Sequence, residues 1–471
     1  MPPHHLLIDG QRVAGAATLE VINPATGAPF AEAPRASHAQ LEAAVAAAAR
    51  AFPGWARTPQ AGRRAALEAL ADAMAARAED FARLLTLEQG KPLAEARGEV
   101  EGTLAALRWF AGQALPPRLL RETAAERLTE QRTPLGVVAA ITPWNFPLIL
   151  LAIKLAPALI TGNVVIAKPA PTTPLTTLLL GEVAADVLPA GVFQTLVDAH
   201  DLGDALTGHR DVAQVAFTGS TATGRKVMAS LAPGLKRFTL ELGGNDPAIV
   251  LDDADVAALA PRLFAAATYN AGQVCLAAKR LYVPRRLAGA LCEALVAEAA
   301  KAVVGDGLAP ETQIGPIQNA AQFAKLQGYL AEAHAHGTVI AGGAVLDRPG
   351  YFIAPTLVRD LPAEARLIHE EQFGPILPII TYDTDDEAIH AANATPYGLG
   401  ASVWTSDVAR GEAMAARIEA GTVWVNRHLD LPFDIAFGGA KQSGLGRQQG
   451  LAGLEEFTQA KVISTSLGGA G

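Results

Sequence analysis

From Gly136 to Glu241, short runs of apolar and β-branched residues alternate with longer stretches whose apolar positions recur at helical spacing. The short runs are Val137–Ile141, Val164–Ala167, Val192–Val197, Val212–Phe217 and Arg237–Glu241, and most are apolar on both alternating faces, as strands covered by helices must be. Helices are expected between them near Leu148–Ile160, Thr173–Val187, Leu202–Thr207 and Thr221–Leu231. Strand, helix and parallel strand in this order build a doubly wound, Rossmann-like sheet, which binds ligands beyond the carboxyl ends of its strands.

The same patterning organises the rest of the chain. Ala-rich amphipathic stretches, Gln40–Phe52 and Gly62–Arg77 and then on to Glu88, precede the sheet and stop at Gly90-Lys91-Pro92. Between Pro116 and Pro134 the residues alternate and carry charge without a helical stripe, which predicts an exposed hairpin or arm. A second α/β round follows from Pro247 to about Asn426, with strands near Ala248–Leu251, Arg280–Val283, Ile376–Tyr382 and Thr422–Asn426 and a hinge at Gly243-Gly244. The last strand, Phe457–Ser464, has no evident partner within the chain, and such a strand invites pairing with another subunit. The expected fold is therefore α/β in three parts. Residues 1–115 and 135–242 form a Rossmann-like dinucleotide-binding domain, 243–440 a second, catalytic α/β domain, and 116–134 with 441–471 a small β oligomerisation arm and C-terminal strand.

Composition narrows the possible partners. A chain of 471 residues exceeds one hydrophobic core, and its 50% hydrophobic content fills two or three. The net charge of −9, with Lys and Arg dispersed, leaves no footprint for nucleic acid or an anionic membrane. The most apolar stretch, Leu135 to Ala167, is interrupted by Pro143, Asn145, Pro147, Lys154, Pro157 and Asn163, which a membrane span would not tolerate. Two cysteines make no disulfide framework, and the first residues lack the charged-then-apolar layout of a signal peptide, so a cytoplasmic protein is expected. No metal is called for.

Four stretches carry candidate chemistry. Val256, Leu259, Leu263 and Ala266 have helical spacing that dissolves at Asn270-Ala271-Gly272, so Cys275 follows a helix end on a loosened turn, a setting for a reactive thiolate. A lone cysteine is more often an inert core residue. Phe217-Thr218-Gly219-Ser220 through Gly224 follows a strand and opens a helix, where free N–H groups can hold a phosphate, although such glycines also serve plain turns. Glu241 ends a strand, as a general base or as a structural carboxylate satisfying nearby N–H groups. Asn145, held between Pro143 and Pro147, offers a rigid amide donor for an oxyanion, or simply a turn residue.

Taken together and in order, these stretches resemble the aldehyde dehydrogenase superfamily across essentially the whole chain. Lys168-Pro169, Glu371-Gln372-Phe373-Gly374-Pro375 and Phe437-Gly438-Gly439 extend the match, as does the separation of Glu241 from Cys275. The resemblance implies that Cys275 attacks an aldehyde carbonyl. Asn145 and the Cys275 N–H would hold the oxyanion, each donor contributing roughly 3 kcal/mol to barrier lowering, and Glu241 would activate the water that hydrolyses the thioester. It further implies that Lys168, Gly219 and Ser220 hold the adenosine and phosphate end of NAD or NADP. Ile141, Trp144 and Leu242 would line the cofactor path, and Glu371 with Phe373 would hold the nicotinamide end. By position the substrate funnel resembles Phe146, Ile149, Ile153, Val274, Leu276 and Phe437, apolar throughout, which points to an uncharged aliphatic or aromatic aldehyde.

The chain departs from the family at Pro171, where many members carry a glutamate for the ribose 2′ hydroxyl. Loss of that carboxylate also removes its repulsion of a 2′-phosphate, so NADP is expected to serve at least comparably with NAD. A homodimer or homotetramer is implied. Two rivals stand beside this reading: a coenzyme A-acylating enzyme, which needs no water-activating Glu241, and a non-catalytic binding or structural protein on the same scaffold.

Overall fold

The computed structural model describes residues 3–468. Its first sheet has a parallel core of five strands in the order Phe193–Thr195, Val164–Lys168, Val137–Ile141, Val212–Thr218 and Arg237–Glu241. Val137–Ile141 and Val164–Lys168 are buried at every position, because helices cover both faces. Leu6–Ile8 and Gln11–Val13 extend one edge, and Gly444–Leu445 closes the other antiparallel to Arg237–Glu241. The second sheet runs Thr338–Ala341, Thr356–Arg359, Ile376–Tyr382, Arg280–Pro284, Pro247–Val250, Gly400–Trp404 and Thr422–Val425, all parallel except the first.

The chain crosses between sheets in one step. Glu241 ends the last parallel strand of the first sheet and Pro247 opens the second, joined through Gly243-Gly244. Any side chain at Gly243 would collide with the Glu371 carboxylate, and a Cβ at Gly244 would lie 2.7 Å from the Cys275 carbonyl oxygen. Close approach to the site thus requires both glycines.

Five regions differ from the sequence expectation. The terminal strand does have a partner within its own chain. Thr458–Ser466 pairs antiparallel along its whole length with Glu126–Pro134, which also pairs with Arg118–Glu122 to make a three-stranded arm. Pairing between segments so far apart in sequence leaves no local signal. Of the segment 441–471, Gly444–Leu445 joins the first sheet instead of the arm. The first helix does not stop before Pro53 but runs His38–Arg57. The proline removes one helical hydrogen bond, while buried Trp55 anchors the last turn by donating from its indole to the Leu159 carbonyl at 3.1 Å. Finally, a helix at Leu93–Ala111 and a hairpin of Ala17–Asn23 with Ala28–Arg35 stand where no element was expected.

Candidate active site

The turn that carries Cys275 is held in an unusual backbone path. The helix Val256–Thr268, capped by the Asp255 carboxylate on the Ala257 and Ala258 N–H groups, gives way to three consecutive left-handed residues: Asn270 (φ 51°), Ala271 (φ 53°) and Gly272 (φ 70°). Such a path is strained for alanine and asparagine and persists only where surroundings fix it. Here Glu95 Oε2 accepts from Asn270 N at 3.0 Å, and the Asn270 amide donates to the carbonyls of Asn145 (3.1 Å) and Gln273 (3.3 Å). Cys275 lies just beyond, half-buried.

Asn145 reaches the same turn from the first sheet. Its amide donates to the Gln273 carbonyl at 3.0 Å, leaving its second N–H for another acceptor, and the side chain is almost fully buried. The Asn145 carbonyl accepts from Lys91 Nζ (3.0 Å), which also donates to Glu99 Oε2 (2.5 Å). Glu99 Oε1 in turn accepts from Leu148 and Ile149 N–H at 3.0 and 3.3 Å, at the start of the helix Pro147–Ile160.

The electrostatics oppose the expectation of a ready thiolate. Burial pushes the Cys275 thiol up to about 12, the Lys279 charge opposing it and the carboxylates of Glu371, Asp246 and Glu241 adding to it. Burial likewise raises Glu241 to about 8 against the pull of Lys154 and Arg447. Neither Glu241 carboxylate oxygen meets a hydrogen-bond donor among the described residues. Lys154, fully buried with Nζ donating to Thr218 Oγ1 at 2.6 Å, is pushed down to about 7 by burial. The site therefore favours a neutral thiol beside a carboxyl group whose proton exchanges near neutral pH, which is suited to a base.

Phe146, Val274, Leu276 and Phe437 form one apolar cluster with Cys275, joined by Leu399, Trp424, Leu429 and Leu431. Ile153 is buried in the core of the first sheet, and Ile149 faces Gly102. Phe146 stacks on Tyr269 with ring centres 6.0 Å apart.

The groups that would hold a dinucleotide sit at the carboxyl ends of the first sheet's strands. Ile141 and Lys168 end two neighbouring strands. Ser220 caps the helix Thr221–Leu231, its Oγ accepting from Thr223 N at 3.2 Å, and Gly219 N donates to the Glu241 carbonyl at 3.0 Å. Leu242 packs against Gly224 of that helix. Glu371 Oε1 accepts from Gly244 N at 3.0 Å and lies 3.5 Å from Lys279, while Phe373 meets Trp144 edge to face at 5.3 Å. A helix N-terminus for phosphate, with a cation on one side and a carboxylate on the other, fits a dinucleotide.

Residues 12–463 match the model of the aldehyde dehydrogenase family. The chain belongs to that family. The aldehyde dehydrogenase LUC3 of a Fusarium species is 38% identical over 462 residues, covering 98% of both chains. A betaine aldehyde dehydrogenase of Cereibacter sphaeroides is 38% identical, covering 96% of this chain and 94% of that one. A crystal structure of betaine aldehyde dehydrogenase from Staphylococcus aureus with NAD+ superposes with a TM-score of 0.96 at 32% identity, covering 99% of this chain and 96% of that one. This aldehyde dehydrogenase is thus an NAD(P)-dependent oxidoreductase on the α/β fold expected for it.

Reading the sequence missed five charged residues around the site: Lys154, Lys279, Asp246 and the pair Lys91 and Glu99. Lys154 was visible as a single cation inside an apolar helix. Lys279 and Asp246, both almost fully buried, had no local signal, since what buries them is the meeting of distant strands. No helix among the described residues is long and apolar enough to cross a membrane.

Proposed function

We propose that this aldehyde dehydrogenase oxidises an uncharged, largely apolar aliphatic or aromatic aldehyde to its carboxylic acid through Cys275. The observation that carries the reading is the apolar cluster of Phe146, Val274, Leu276, Phe437, Leu429 and Leu431 around that cysteine. It offers a carbonyl substrate a wall of low polarity.

In this reading Cys275 releases its proton to solvent as Sγ bonds to the aldehyde carbon, and the free Asn145 N–H with the Cys275 N–H steadies the new oxyanion. When bound, the dinucleotide supplies the hydride acceptor. Glu241 then takes a proton from water, whose oxygen attacks the resulting thioester and releases the acid with the thiol restored. Transfer to coenzyme A would not need that carboxylate, so a buried Glu241 beside Cys275 favours hydrolysis. The relatives named for betaine aldehyde have a cationic substrate, which needs several aromatic faces around the ammonium. Here one face of Phe146 already carries the Lys91 ammonium, 3.8 Å from the ring centre, and the other cluster walls are mostly aliphatic.

The expected comparability of NADP with NAD rests on Pro171 standing where many members carry a carboxylate. Reduced-cofactor absorbance measured with hexanal, benzaldehyde, succinic semialdehyde and betaine aldehyde tests the substrate class. Higher kcat/KM for the first two, abolished in Cys275→Ala, supports it; a clear preference for betaine aldehyde overturns it.

A further inference from the structure

In a dinucleotide-binding sheet the acid that reads the adenosine ribose stands at the end of the strand next to the central one. Here that strand, Val164–Lys168, ends in a cation, and Pro171 follows where a carboxylate would serve. The charge is supplied from one strand further out. Just past Phe193–Thr195, Asp198 places Oδ1 2.6 Å from Lys168 Nζ, with Asp198 wholly buried and Lys168 nearly so.

The carboxylate is pinned in place. Its Oδ2 accepts from Leu202 N at 3.0 Å, the preceding residue's carbonyl accepts from Ala36 N at 2.8 Å, and Leu196 N donates to the Ala167 carbonyl at 2.9 Å. Asp198 Oδ1 has no donor besides the Lys168 ammonium among the described residues. Lys168 is also tied to the central strand, because its carbonyl accepts from Thr142 N at 3.2 Å. The pair therefore sits at the ends of the three strands across which an adenosine ribose lies, and the ammonium is already neutralised.

We propose that Asp198 selects NAD over NADP, doing from the third strand what an acid after Lys168 would do from the second. A neutral ribose 2′ hydroxyl can accept from Lys168, the less buried member of the pair, whose charge Asp198 offsets from behind. A 2′-phosphate brings further negative charge to a fixed carboxylate, and the cation that would receive it is occupied. This replaces the at least comparable use of NADP that Pro171 alone predicts with selection for NAD, and it rests on the dinucleotide reading of the first sheet.

Binding of ADP-ribose and of 2′-phospho-ADP-ribose to the whole protein, by calorimetry, tests the proposal without turnover. Wild type is expected to bind ADP-ribose at least about tenfold more tightly. Asp198→Asn, which frees the Lys168 charge, should shift the ratio toward the phosphorylated ligand by about tenfold or more, and kcat/KM for NADP over NAD should move likewise. Equal affinity in wild type overturns the assignment whether or not the variant folds, as does an unchanged ratio in a folded variant. Failure to bind either ligand overturns the dinucleotide reading itself, which separates the two.

Discussion

Lys279 Nζ donates to the main-chain carbonyl of Cys275, so a buried ammonium lies beneath that residue's own peptide. It is the largest charge acting to lower a thiol that burial raises to about 12. A nearby positive charge favours a thiolate, and Lys279 supplies one, though too weakly to overcome burial.

Lys279→Met should therefore raise the thiol further and reduce the thiolate present at any pH below that value. Alkylation by iodoacetamide at pH 8 reports the thiolate directly. A drop of about threefold or more in its rate is expected, with the pH profile displaced upward. An unchanged profile would make Lys279 only a support for the turn.

Glu241 makes an opposite kind of prediction, because burial raises it to about 8. A base acts as its carboxylate, which is the minor form below that value and the major form above it. Thioester hydrolysis should consequently rise from pH 7 to 9 and level off beyond. Glu241→Gln should give one burst of reduced cofactor and then stall, with the acyl adduct visible by mass spectrometry of the intact protein. Steady turnover near wild type with no adduct would leave Glu241 a structural group.

How legible all this was depends on how local each signal is. Strands Val137–Ile141, Arg237–Glu241 and Ile376–Tyr382 and the helix Thr221–Leu231 lie where apolar runs, a capping serine and turn residues mark them. The Cys275 turn was legible from glycine and the end of helical spacing, but its left-handed Asn270 and Ala271 were not, since Glu95 and Asn145 impose them from far away. The partner of Thr458–Ser466 and the pairing of Asp198 with Lys168 were hidden for the same reason.

The arm offers a test of assembly. In its three-stranded sheet Thr458–Ser466 and Arg118–Glu122 are the two edges, and Val462 and Ile463 are exposed. Exposed apolar side chains on an edge strand favour joining another chain, and lysines there oppose it. Replacing both Val462 and Ile463 by Lys leaves the backbone pairing to Glu126–Pro134 intact and should lower the assembled mass measured by light scattering. An unchanged mass would remove that edge from any interface.

The Lys91–Glu99 pair poses the question of what a buried ion pair is for. Both side chains are completely buried, and together they hold the Asn145 carbonyl and the first N–H groups of the helix that follows. Removing one partner strands the other charge, a loss of about 3–5 kcal/mol in comparable sites, whereas removing both can be close to neutral. Lys91→Met and Glu99→Gln alone should each lower Tm strongly, and the double variant should recover much of the loss. Activity should not recover with it. Asn145 would still lack the contact that fixes its backbone, and an oxyanion donor misplaced by even a small distance loses much of its effect, so kcat should stay at least about tenfold down with KM less affected. If the double variant regains kcat along with Tm, the pair contributes stability alone and Asn145 is positioned by Gln273 and Asn270 without it.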